Sequence, residues 1–142
     1  MIYRKKILLL LSGGKDSLNA IAELKKSGYD VTGLCIDGIQ GHEKSGALKA
    51  AQVHDIPLLV KNIWFFDENT WNPVKLIFRD LAMGFVAIRE AKRIQSVGIA
   101  TGVKQKDLAN PKLAWLRVFL CLSKKILSLF GLDLIYPVWK MD

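Results

Sequence analysis

The apolar run Ile7–Leu11 passes without a break into Ser12-Gly13-Gly14-Lys15-Asp16-Ser17. A continuous apolar run, rather than an alternation, is what a strand buried on both faces requires. A strand that enters a glycine turn and then a helix is a ready-made phosphate cradle. Glycines let the backbone come close to an anion, and the helix N-terminus presents unpaired N–H groups with partial positive charge. Lys15 adds a full positive charge, Ser12 and Ser17 offer hydroxyls, and Asp16 can cap the helix or face a magnesium ion. The competing reading, a plain tight turn with an Asp cap, leaves the glycine pair and the lysine without a purpose.

The chain beyond the loop alternates strand and helix signals. Lys6–Leu11 reads as strand and Asp16–Ser27 as helix, stopped by Gly28. Val31–Asp37 is a second strand, Gly41–Gly46 a polar glycine-rich loop, and Ala47–His54 a helix. Pro57–Val60 is a short strand. Val74–Ser96, with Pro73 in its first turn, carries an apolar stripe at 74, 77, 78, 81, 82, 85 and 88. Gly98–Thr101 is a fourth strand and Gly102–Pro111 a polar loop. Leu113–Phe130 is a helix closed by Gly131, and Leu134–Tyr136 a last strand cut off by Pro137.

Such alternation predicts an α/β fold: a doubly wound, mainly parallel five-stranded sheet with helices on both faces, joined by right-handed crossovers. The 142 residues suit a single domain, 1–142. Ligands of these sheets bind beyond the carboxyl ends of the strands, where the strand order reverses. With the first strand central, its end meets those of strands two and four, bringing Ile36–Asp37 and Thr101–Gly102 to the Ser12–Ser17 loop.

Charge and cysteine content set the surroundings. Lys and Arg number 21 against 13 Asp and Glu, a net +8 that suits an anionic partner. Cys35 and Cys121 lie in apolar runs without metal or redox spacing, which fits a reducing, cytoplasmic setting. The apolar part of Ile2–Leu11 is too short for a leader, and Arg117, Lys124 and Lys125 interrupt Leu113–Phe130, so no membrane span is expected.

The common P-loop is excluded because Leu9 stands where its early glycine belongs and Asp16 follows Lys15. A dinucleotide fingerprint is excluded because the third, spaced glycine is missing. Ser12–Ser17 does fill every fixed position of the Ser-Gly-Gly-x-Asp-Ser loop, and in that it resembles the PP-loop ATP pyrophosphatases. As in the tRNA lysidine and tRNA thiolation branches, an aspartate segment, Cys35-Ile36-Asp37-Gly38, ends strand two, where the family's backbone reads adenine. Ala100-Thr101-Gly102 resembles the start of the family segment after strand four, and Asp107 falls on its second aspartate. Val103 and Lys106 depart from that segment, so no family role passes to them. The tail Gly131–Trp139 is similar to one in the diphthine–ammonia ligase branch, whose later glutamate-rich motif is absent here.

The resemblance implies ATP and Mg²⁺ as cofactors, adenylation of an acceptor oxygen with release of pyrophosphate, and then attack by nitrogen or sulfur. It implies Lys15 and Asp16 in catalysis, Asp16 as the magnesium ligand ahead of Asp37 or Asp107, and Ser12, Gly13, Gly14, Ser17, Ile36, Asp37, Thr101 and Gly102 in nucleotide binding. A tRNA base is the expected acceptor. The alternatives are an amide-forming ligase and a module that holds ATP or AMP without turnover.

Other residues carry weaker readings. His42 and Glu43 border the expected crevice but also suit a solvated loop, and His54 reads as a helix-end residue. Trp64, Phe65, Phe66 and Trp71, beside Lys61 and Lys75, could stack RNA bases, although covering the core is the commoner role. Lys104, Gln105, Lys106 and Lys112 could meet phosphates or simply be solvated. Leu113–Phe130 is apolar on nearly all sides, more than one sheet face needs, and this predicts a homodimer contact.

Overall fold

A computed structural model of the chain describes the backbone of residues 4–11, 15–37, 42–62, 73–102 and 114–140. Side chains are described over the same residues except 15–16, 37, 42–44, 62, 73–80 and 114–119. The elements run β1 (Lys6–Leu10), α1 (Lys15–Lys26), β2 (Asp30–Asp37), α2 (His42–His54), β3 (Leu58–Asn62), α3 (Pro73–Arg93), β4 (Gly98–Ala100), α4 (Ala114–Leu129) and β5 (Asp133–Ile135). The strands form one parallel sheet, as the alternation predicts, and their order is β3-β2-β1-β4-β5.

β1 is central because it is apolar on both sides. Ile7, Leu8 and Leu9 are fully buried. Ile7 and Leu9 pack with Ile21 and Leu24 of α1 and Ala47, Ala50 and Ala51 of α2. Leu8 faces the opposite layer, with Ala87, Ile88 and Ala91 of α3 and Leu127 of α4. The sheet is therefore covered on both faces, two helices to each. Alanines at the helix–sheet contacts let helix and strand backbones approach closely.

All four helices stop in the same way. The residue after the last turn has positive φ: Gly28 (88°), Asp55 (50°), Gln95 (60°) and Gly131 (70°). Its N–H donates three residues back, and the next N–H donates five back, as in Tyr29 to Leu24, Ile56 to Ala51, Ser96 to Ala91 and Leu132 to Leu127. This paired-bond stop satisfies the last carbonyls of the helix. The chain then enters the next strand within one to two residues. Glycine takes this conformation without strain, which is why Gly28 and Gly131 announce themselves in the sequence while Asp55 and Gln95 do not.

One boundary and one helix face stand out as different from the sequence reading. α2 opens at His42 rather than Ala47, so His42 and Glu43 belong to a helical first turn and not to a loop. Gly46 is carried inside that helix because packing of Ala47, Ala50 and Ala51 outweighs its poor propensity. On α3, Leu81 and Phe85 of the expected stripe are 37% and 60% exposed, while Ala87, Glu90 and Ala91 face inward.

Ser96 joins β1 to β4 at the amino-terminal edge of the sheet. Its Oγ accepts hydrogen bonds from the N–H groups of Leu8 (3.1 Å) and Gly98 (3.2 Å), and its hydroxyl has the carbonyls of Gly98 and Lys6 as acceptors. Ser96→Ala leaves those buried donors without a side-chain acceptor. Urea unfolding should show a loss of about 1–3 kcal/mol, with little change in the far-ultraviolet spectrum.

Candidate functional site

The strand order reverses at β1: β2 and β3 lie on one side of it, β4 and β5 on the other. Pairing aligns Leu10 with Leu34 and Leu9 with Ala100, so three strand ends meet at one edge. The Leu11 N–H still reaches the Leu34 carbonyl at 2.9 Å before the chain leaves the sheet. β2 continues past that pair to Ile36 and Asp37, which pair with Lys61 and Asn62 of β3 on the other side. Thr101 leaves β4 with its N–H on the Ile135 carbonyl at 3.1 Å, and both it and Gly102 are half-buried.

α1 opens at Lys15, just beyond the β1 end, and runs back along the sheet, so its N-terminus lies at this same edge. Lys15 and Asp16 are its first two residues, where the helix dipole is positive. Ser17 is buried at 3% exposure. Ser12, Gly13 and Gly14 lie outside the described residues, as do the side chains of Lys15, Asp16 and Asp37. The structure thus brings together Leu11, Lys15, Asp16, Ser17, Ile36, Asp37, Thr101 and Gly102.

Among the described residues there is no group of three or more His, Cys, Asp and Glu side chains arranged to hold a metal. Magnesium in nucleotide sites is held largely by phosphate oxygens with one or two carboxylates, and Asp16 at a helix N-terminus is a donor of that type. Trp64, Phe65, Phe66, Trp71, Val103, Lys104, Gln105, Lys106, Asp107 and Lys112 lie outside the described residues, and so do the side chains of His42, Glu43 and Lys75. His54 ends α2, where the Lys25 ammonium donates to its carbonyl oxygen.

Two features of this region carry little or no sequence signal. Lys61, near the end of β3, is paired with Glu90 of α3 (3.4 Å), which also binds Arg93 (2.8 Å). Burial raises the Glu90 pKa, yet hydrogen bonds and charge from Arg93 and Lys61 outweigh it and hold the carboxyl below its usual range. The second feature is an apolar cavity of about 220 Å³ between α3 and α4, reaching Leu10 and Thr101. Only Gly84, a glycine amid apolar helix residues, hints at it in the sequence. The tail returns over the α1 face, with Val138 fully buried and the Tyr136 and Trp139 rings 5.0 Å apart at 46°.

The sequence matches no protein-family model and no curated protein sequence. Solved structures share its fold. An NH3-dependent NAD synthetase from Campylobacter jejuni, in complex with nitrate, aligns with a TM-score of 0.62 at 17% identity, covering 75% of this chain and 51% of that one. NMN synthetase from Francisella tularensis gives 0.61 at 17% identity, covering 73% and 48%. A predicted subunit of tRNA methyltransferase from Methanocaldococcus jannaschii gives 0.56 at 16% identity, covering 97% and 70%. The chain thus spans about half the length of each synthetase.

The Glu90 interactions stabilise the fold wherever its carboxyl is ionised. Because the folded pKa is depressed below 4.5, that stability is full above the unfolded value and is lost as pH falls through the folded one. Lys61 and Arg93 are half-exposed, so Glu90→Gln should cost only about 1–2 kcal/mol at pH 7. Chemical denaturation across pH should show the deficit shrinking below about pH 4.

Proposed function

We propose that this chain binds ATP with magnesium at the turn between β1 and α1, transfers AMP to an acceptor oxygen and releases pyrophosphate. The observation that carries this reading is the position of that turn. The Ser12–Ser17 sequence falls at the point where the order β3-β2-β1-β4-β5 reverses, with Ile36–Asp37 and Thr101–Gly102 at the same edge. The shared fold of the two synthetases, enzymes by their names, supports it.

Each residue then has a physical task. Negative charge develops on the departing pyrophosphate, and fixed donors aimed at it lower the barrier. The first-turn amides of α1, the Ser12 and Ser17 hydroxyls and the Lys15 ammonium supply them. Magnesium, held by Asp16 and the phosphates, would add further charge neutralisation there. The edge of β2 at Ile36–Asp37 offers backbone groups to adenine, and Thr101 and Gly102 close the other side of the crevice. No protein nucleophile is needed for transfer of AMP.

Two acceptor classes follow. A tRNA base draws support from the net charge of +8 and from the methyltransferase-subunit likeness. An acid carried to an amide draws support from the tail and from the neutral, apolar cavity beside Thr101. The exposed Leu122, Leu129 and Phe130 of α4 and the turn after it (53%, 84% and 43%) fit the homodimer contact proposed for that helix. No helix among the described residues is long and apolar enough to cross a membrane, and the proposed setting is the cytoplasm.

Pyrophosphate release in the presence of MgATP is the decisive assay. Release only with tRNA supports the first acceptor; release with a small acid and no RNA supports the second. Nucleotide binding without turnover under either condition leaves a binding module. Asp16→Ala should cut turnover by about 100-fold or more with the fold intact, and an unchanged rate removes Asp16 from the chemistry.

A further inference from the structure

The cavity between α3 and α4 has a composition that restricts what it can hold. Its volume is about 220 Å³, and of the described side chains that line it only those of Thr101 and Ser123 carry polar oxygen or nitrogen atoms. The other described side chains of the lining, including Leu10, Ile88 and Leu127, are apolar, and none of the described lining residues is charged. A phosphate or the polar edge of a nucleobase would find only the Thr101 and Ser123 hydroxyls among the described lining to replace its hydration. A hydrocarbon group would gain, because apolar cavities of roughly 150 Å³ already accept benzene.

The position of the cavity is as telling as its lining. It lies on the α3–α4 face, opposite the face that α1 covers. Leu10 and Thr101 bring it to the carboxyl-terminal edge of the sheet, between the ends of β1 and β4. A ligand whose hydrocarbon part fills this space presents its polar end at Thr101, toward the crevice where α1 begins.

Gly84 keeps the space open. It lies within α3, where glycine is a poor helix former, and a Cβ built there meets no atom within 4 Å. Stability alone would favour alanine or a larger side chain at this position.

We infer that the cavity receives the hydrocarbon part of a small aryl or alkyl carboxylic acid, and that this acid is the acceptor of AMP. The acceptor role rests on the adenylation reading above. A carboxylate is already ionised at neutral pH and needs no base, and the described residues of the cavity lining hold none. One carboxylate oxygen attacks the α-phosphorus of ATP. The bond from that phosphorus to the bridging oxygen of pyrophosphate breaks, the electron pair leaves with pyrophosphate, and the product is an acyl adenylate. No proton changes place in this step.

The test is a calorimetric titration of the full chain with 3-phenylpropionate, heptanoate and, as an uncharged probe, toluene. Saturable binding at one site is expected. Gly84→Ala should keep it, whereas Gly84→Leu should weaken it about tenfold or more while melting no lower than wild type. Ser123→Leu, which fills the same space from α4, should do likewise. ATP affinity should stay unchanged in all three variants. Absence of saturable binding by every probe, or binding unaffected by both leucine variants, overturns the pocket. A chain that binds the acids but neither binds nor cleaves ATP keeps the pocket and overturns the adenylation reading, and with it the acceptor role.

Discussion

Ile7, Leu8 and Leu9 are sealed on both faces of the sheet, and their backbone is paired on both edges, with β2 and with β4. A parallel strand in that position cannot be reached by a hairpin, so every neighbour must arrive by a crossover along one face. The crossovers through α1 and α2 cover one face, and α3 and α4 cover the other. Reversal of the strand order at β1 then opens a crevice at its carboxyl end. The position of the Ser12–Ser17 turn follows from five apolar residues that must be buried on two sides.

The features legible in the sequence are those written in periodicity and in punctuation. Continuous apolar runs marked β1 and β2, and the glycines at 28 and 131 marked two helix ends. The parallel sheet with helices on both faces followed from alternation, whereas the order of its strands came only with the folded chain. Features that depend on packing between distant segments were not legible. Glu90 sits in what reads as a helix surface charge, yet it faces inward because Lys61, 29 positions earlier (90 − 61), comes alongside it in the sheet. Asp55 and Gln95 adopt positive φ under tertiary constraint, with no glycine to signal it. The start of α2 was missed for the same reason: Gly41 and Gly46 suggest a loop, but the alanine face behind them gains by packing on β2.

The candidate site divides in a parallel way. Its proposed phosphate side is local in sequence, the end of β1, the segment after it and the first residues of α1, and a linear motif can encode it. Its other side is assembled from β1, β4, β5, α3 and α4, which meet only in the folded chain. A motif search can therefore describe how such a chain would hold the proposed nucleotide, while the surface proposed to receive the reacting group is assembled from segments far apart in sequence.

The four identical helix stops have a further consequence. Each turn from helix to strand is tied by paired backbone bonds and leaves only one to two residues before the sheet resumes. Additional chain inserted there would break both bonds and push a strand out of register. The longest connections between described elements, 63–72 and 101–113, run from strand to helix and so belong to the opposite edge. The edge where helices hand over to strands is thus closed to variation in length, and the scaffold is fixed from that side while the longer connections lie at the edge that carries the candidate site.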